Sequence, residues 1–169
     1  VAVSELILLR HAKSDWRAGT ADEDRPLSHR GRQAARTMGR VLTLAGKAPD
    51  LVLTSPALRA VETARLAAEA GAWEAPIVIR ESLLPGSPAE VLGAVREEAG
   101  EAERILVVGH EPACSQTAIA LLGGGALRMA TAVAACIEFT SWEESGPGQG
   151  ILLWMLSPRL FTEGAFPLE

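Results

Sequence analysis

Three stretches far apart in the chain end apolar runs in residues suited to holding a phosphate: Leu6-Ile7-Leu8-Leu9-Arg10-His11, Ser55-Pro56-Ala57-Leu58-Arg59-Ala60 and Val107-Val108-Gly109-His110-Glu111-Pro112. Two of the three histidines, and two arginines, thus stand where buried strands would surface. That pattern suggests phosphoryl transfer. Arg59 is the most telling on electrostatic grounds, because a cation in the first turn of a helix is disfavoured by ~0.3–1 kcal/mol unless an anion lies beside it. A bound phosphate would supply the anion, and helix N-termini favour anions in any case; the alternative is that Glu62 or another acid neutralises an exposed Arg59. His11 is a nucleophile, a metal ligand, a general acid or base, or a structural histidine with satisfied ring nitrogens. The second histidine, His110, follows Gly109, where the lack of a side chain lets backbone approach a ligand. Two histidines with two arginines fit a phosphate better than a divalent metal, since fixed guanidinium charges repel the ion. His29, among charged residues at a helix start, reads as surface.

These residues need elements to hold them. Leu6 to Leu9 is an apolar run too short for a helix and reads as a fully buried strand. Residues 12–27 read as a loop. Ser28 is placed to cap a helix with apolar positions Ala34, Ala35, Met38, Val41 and Leu42, ended by Gly46. Leu51 to Leu53 is a second strand, after which Ser55-Pro56 has the form of an N-cap with proline at the first helical position. That helix would run to about Ala70, with Gly71 as terminator. A strand near Ile77 to Ile79 precedes Ser87-Pro88, where Glu90 stands in the capping-box position. Ile105 to Val108 makes a fourth strand and Pro112 to about Leu122 a further helix. Val133 to Phe139 and Ile151 to Leu156 read as two strands joined by the Gly/Pro-rich turn at 145–150. Strands alternating with helices imply an α/β fold, a mostly parallel sheet covered on both faces, in which ligands bind beyond the carboxyl ends of the strands. Arg10-His11, Ser55 to Arg59, Glu81 and His110 all fall at those ends.

Composition sets the frame. At 169 residues, 48% hydrophobic and 22% charged, the chain reads as one globular domain over residues 1–169. The net charge of −5 argues against a general nucleic-acid or anionic-membrane surface. The charge is uneven: residues 1–36 hold seven Lys or Arg and five Asp or Glu, a local +2, which leaves −7 for the rest. Arg30, Arg32 and Arg36 in that segment read as a solvated helix face. Cys114 and Cys136 lack any C-x-x-C spacing and read as small buried residues rather than a disulfide or zinc pair. No secretory signal pattern and no run of ~18 apolar residues are seen, so a cytoplasmic location is expected.

Taken together, Leu8-Leu9-Arg10-His11-Ala12-Lys13-Ser14-Asp15-Trp16, Ser55-Pro56-Ala57-Leu58-Arg59-Ala60-Val61-Glu62-Thr63-Ala64 and Val107 to Pro112 resemble the histidine phosphatase superfamily, the fold of the cofactor-dependent phosphoglycerate mutases. Arg25-Pro26-Leu27-Ser28 with Gly31, and Trp154-Met155-Leu156-Ser157-Pro158, resemble its small bacterial phosphohistidine phosphatases of the SixA type. The resemblance spans about residues 5 to 160. It implies a three-layer sandwich around a mostly parallel sheet. It also implies His11 as a nucleophile that is transiently phosphorylated, with Arg10, Arg59 and His110 holding the phosphoryl oxygens. Glu81 lies where many members keep an acid that protonates an alkoxide leaving group; otherwise it is a solvated strand-end acid. Ser14 matches a serine near the phosphate, or caps the loop. The chain departs from the family at Ala12, where glycine is usual, and at Arg17, which lies near where an asparagine is common and either meets an acidic or phosphorylated partner or points into solvent. The resemblance points to a phosphatase of protein phosphohistidine, since a chain this short leaves little for a lid over small substrates. A phosphatase of small phosphomonoesters is the alternative, and a phosphoprotein-binding module without turnover is the rival from another class. No cofactor and no metal are expected, and the protein is expected to act as a monomer.

Overall fold

A computed structural model describes residues 2–162. Strands β1 (Ser4–Arg10), β2 (Leu51–Thr54), β3 (Ile77–Ile79), β4 (Arg104–Gly109), β5 (Ala134–Phe139) and β6 (Ile151–Leu156) form one six-stranded sheet in the order β3-β2-β4-β1-β5-β6. The β3–β2, β2–β4 and β4–β1 ladders are parallel, and β5 runs antiparallel to both β1 and β6. β1 and β4, the strands that lead into the two histidines, are therefore neighbours in the middle of the sheet, with Arg10 level with Gly109.

Each central strand is apolar on both faces, and alternate residues go to opposite layers. Ile7, Leu9, Val52, Leu106 and Val108 pack with Ala35, Met38 and Leu42 of α1 (His29–Leu44) and Ala60 and Ala64 of α2 (Leu58–Gly71). Leu6, Leu8, Leu53, Ile105 and Val107 pack with Val91, Leu92 and Val95 of α3 (Pro88–Glu98) and with Cys114, Ala118 and Leu121 of α4 (Ala113–Leu122). The result is a three-layer α/β sandwich. A short helix, α5 (Arg159–Thr162), closes the described chain.

The caps test the sequence reading locally. Ser28 accepts a hydrogen bond from Gly31 N–H at the start of α1, and Ser87 with Glu90 forms the full capping box of α3. Ser55-Pro56 does not start α2. The helix begins at Leu58 after Ala57, because the Ser55 hydroxyl is drawn 2.6 Å from His110 Nε2 instead. Nor does Gly71 terminate it: Gly71 is its last helical residue and Ala72 takes the left-handed conformation, with φ 53°. A Cβ at Gly71 would lie 2.4 Å from Trp73 Nε1 and 2.7 Å from Gly39 O, so this glycine serves close packing rather than the turn. Gly31 does the same nearer the site, since a Cβ there would lie 2.0 Å from Lys13 O and push away the loop that follows His11.

Candidate active site

The carboxyl ends of β1 and β4 bring His11 and His110 together with ring centroids 5.1 Å apart. They line a cavity of about 450 Å³ with Arg10, Arg25, Arg59, Lys13, Ser14, Trp16, Glu111 and Thr131. His11 is held tightly: its N–H donates to Gly109 O at 2.9 Å, and its Nδ1 lies 2.7 Å from Ala12 O. A carbonyl oxygen can only accept, so Nδ1 carries the proton and Nε2 carries the lone pair. Burial pushes the His11 imidazole down to about 4; the charges of His110, Arg59 and Arg10 act in the same direction against the Ala12 hydrogen bond. His110 is also pushed down to about 4, by burial first and then by Arg59. At neutral pH both rings are uncharged, and His11 presents a fixed, unprotonated nitrogen.

Around them stand cations with unfilled hydrogen-bonding capacity. Arg10 donates from Nη1 to Met129 O at 3.0 Å, but its Nε, together with Arg59 Nε and His110 Nδ1, is buried without a partner among the described residues. A buried orphan donor costs about 1–3 kcal/mol, and an anionic oxygen would relieve it. Arg59, 6% exposed, is the second residue of α2, where the backbone dipole disfavours a cation. Its carboxylate neighbour is Asp22 rather than Glu62: Asp22 O accepts from Arg59 Nη1 at 2.8 Å, and Asp22 Oδ2 lies 3.3 Å from Nη2. Glu62 instead accepts from Leu27 N–H and pairs with Arg32. The same Asp22 carboxylate lies 2.5 Å from Arg25 Nη1, and Arg25 first, with Arg59, holds Asp22 below the usual carboxylate range. A protein carboxylate thus already bridges two guanidiniums, a sign of how strongly this corner attracts anionic oxygen.

A layer of hydrogen bonds orients these groups. Thr63 is fully buried; its Oγ1 accepts from Ala12 N–H at 3.0 Å and donates to Arg59 O at 2.7 Å, tying the residue after His11 to the start of α2. Ala12 is buried without positive φ, so a methyl group fits where the family usually has glycine. Both carboxylate oxygens of Glu111 are taken, one by Ser115 N–H at 2.8 Å and one by Ser115 O–H at 2.6 Å. Ser115 Oγ accepts in turn from Met129 N–H, whose carbonyl receives Arg10.

Of the residues singled out in the sequence, His11, Arg10, Arg59, His110 and Ser14 meet in the cavity. Ser14 is buried and accepts from Arg25 Nε at 2.9 Å, so it holds a cation in place. Glu81, in a 3-10 turn after β3, is exposed and is not among the lining residues. Arg17 leaves 92% of its side chain exposed beside Asp15 and is likewise outside the lining. Gly109 has Cys114 Sγ, 3.4 Å from where its Cβ would be, as its near neighbour. Both cysteines are buried, and burial pushes each thiol up to about 12, which leaves them unreactive. His29 is exposed, as its surroundings suggested. Sequence reasoning did not pick out Arg25, whose guanidinium lies 3.6 Å from the centroid of the exposed Trp16 ring, or Asp22, Thr63 and Glu111. Thr63 follows Arg59 by four residues and Glu111 precedes Ser115 by four, the one-turn spacing that could have flagged both. Among the described residues, no group of three His, Cys, Asp or Glu side chains is placed to hold a metal ion. No helix among them is long and apolar enough to cross a membrane.

A neutral, tautomerically fixed histidine under clustered guanidiniums, at the strand ends of a three-layer sandwich, places the chain among the α/β enzymes that handle phosphoryl groups. It belongs to the histidine phosphatase superfamily, whose branch 1 model matches residues 6–84. An uncharacterized protein of Mycobacterium tuberculosis (strain H37Rv) is 40% identical over 113 residues, 67% of this chain and 69% of that protein. A structure from Nakamurella multipartitia, proposed to be the phosphohistidine phosphatase SixA, is 28% identical, with a TM-score of 0.83 over 94% of this chain and 98% of that one. The protein histidine phosphatase SixA complexed with tungstate shares the fold, with a TM-score of 0.80 over 91% of this chain and 97% of that one at 24% identity. The coarse activity is that of a phosphatase.

Proposed function

We propose that the protein removes phosphate from phosphohistidine on another protein. The observation that carries this reading is the pairing of a ready nucleophile with a cavity poor in acid. His11 Nε2 attacks phosphorus while Arg10, Arg59 and His110 hold the equatorial oxygens, and the bond from phosphorus to the substrate's imidazole nitrogen breaks. The departing imidazole takes its proton from solvent. Water then cleaves the bond between phosphorus and His11 Nε2, releasing inorganic phosphate and restoring the neutral ring. An alkoxide leaving group would need a positioned acid. Among the described residues the one carboxylate lining the cavity, Glu111, has both oxygens accepting from Ser115, and Glu81 lies outside the lining. Imidazole protonates near neutral pH and departs without such help. The likeness to solved SixA structures supports the same substrate class.

Rapid quenching with phosphate-labelled phosphohistidine protein should trap an acid-labile, alkali-stable phosphoenzyme that His11→Ala cannot form. Turnover should persist in chelators and be inhibited by vanadate, a mimic of the five-coordinate transition state. Near-normal turnover by His11→Ala would refute the nucleophile. A kcat/KM on a small alkyl phosphate well above that on every phosphohistidine protein would favour the phosphomonoesterase reading.

A further inference from the structure

Beside the His11 cavity lies a second cleft, of about 470 Å³, whose lining includes Lys13, Arg30, Gln33, Thr131 and Arg159. Lys13 and Thr131 line both spaces, so the two adjoin. No acidic side chain among the described residues lines the second cleft. Among the described residues neither Lys13 nor Arg30 forms an ion pair, whereas nearby Arg25 pairs with Asp22 and Arg32 with Glu62. A protein of net charge −5 therefore carries a basic trough that leads away from its phosphate cavity.

We propose that this cleft docks an acidic segment of the phosphorylated protein, the carboxylates that flank the phosphorylated side chain. The inference rests on the phosphohistidine reading above and adds the recognition that reading lacks. The shape of the cleft favours a chain of carboxylates over a second phosphate of a small molecule. A phosphate subsite draws buried, convergent donors onto one point, as Arg10 and Arg59 are drawn in the His11 cavity. Here the three cations are exposed and come from the loop after β1, the first turn of α1 and the start of α5. Dispersed, exposed cations suit a flexible peptide with several carboxylates, and they speed its approach as well as hold it.

The test uses the whole protein and two synthetic phosphohistidine peptides, one flanked by Asp and Glu, the other by Ala, with p-nitrophenyl phosphate as a small reference substrate. The variant is Arg30→Glu combined with Gln33→Glu. Both positions are exposed, and glutamate at residue 30, in the first turn of α1, is favoured by the helix dipole, so the fold is spared. The wild type should prefer the acidic peptide, and raising the salt concentration should erode that preference. In the variant kcat/KM on the acidic peptide should fall about five- to thirtyfold, the sum of a few exposed pair interactions, chiefly through KM. The Ala-flanked peptide and p-nitrophenyl phosphate should change less than about twofold. Equal wild-type rates on the two peptides, or equal losses on all three substrates, would overturn the docking site and leave the phosphohistidine reading standing. A selective loss on a small bisphosphate, with the acidic peptide unaffected, would make the cleft a second phosphate site instead. Turnover of p-nitrophenyl phosphate but of neither peptide would refute the phosphohistidine reading, and the acidic segment with it.

Discussion

Acidification is expected to destabilise the fold through the two site histidines before any carboxylate responds. In the unfolded chain each imidazole titrates near 6.5, whereas burial pushes both folded rings down to about 4. Between those values the unfolded chain binds more protons, so stability is fully present above 6.5 and is lost as pH falls toward 4. From pH 7 to pH 5 the loss is about 2 kcal/mol per ring. With centroids 5.1 Å apart the rings titrate as a pair, so the combined slope belongs to both and not to either alone. Carboxylates with lowered values, Asp22 among them, give up their contribution only below the usual range near 4. Urea unfolding at pH 7, 6 and 5, with the m-value held common, isolates the histidine window. His11→Gln and His110→Gln should each remove roughly half of the slope that the wild type shows there. A wild-type stability flat between pH 7 and 5, or a slope untouched in both variants, would show that the rings are not held neutral by burial.

Arg59→Ala should lower kcat/KM by roughly ten- to a hundredfold, the value of one charge-assisted hydrogen bond, while Tm changes little because a cation leaves a helix start. A large Tm loss with small kinetic effect would make Arg59 a structural partner of Asp22. Thr63→Val strands Ala12 N–H in the core and should cost about 1–3 kcal/mol of stability. If Thr63 positions His11, kcat also falls while KM holds; an unchanged kcat would refute that role. Glu81→Gln should leave turnover of a phosphohistidine protein and of an alkyl phosphate alike within about twofold, since Glu81 lies outside the cavity lining. A loss confined to the alkyl phosphate would make Glu81 its positioned acid and undo the leaving-group argument.

Much of the scaffold was legible locally. Apolar runs of three or four residues located β1, β2 and β4, and Ser28, Ser87 and Glu90 announced helix starts, because burial on both sheet faces and backbone capping act over a few residues. The same locality explains why Arg10, His11 and His110 could be placed at strand ends, and Arg59 in a first helical turn, from the sequence alone. The Ser55-Pro56 cap was misread for the opposite reason: the hydroxyl lies 2.6 Å from His110, 55 residues away in sequence, and reaches the helix start only through Ala57 N–H at 3.3 Å. Only the tertiary structure decided that His11 is neutral with its lone pair on Nε2, since that follows from a sheet closing around the ring. Only it brought Asp22 and Arg25 to Arg59, left Glu81 outside the lining, and joined Lys13, Arg30 and Arg159 in one trough. Desolvation and ion pairing depend on which distant groups become neighbours, and no local pattern in the chain encodes that.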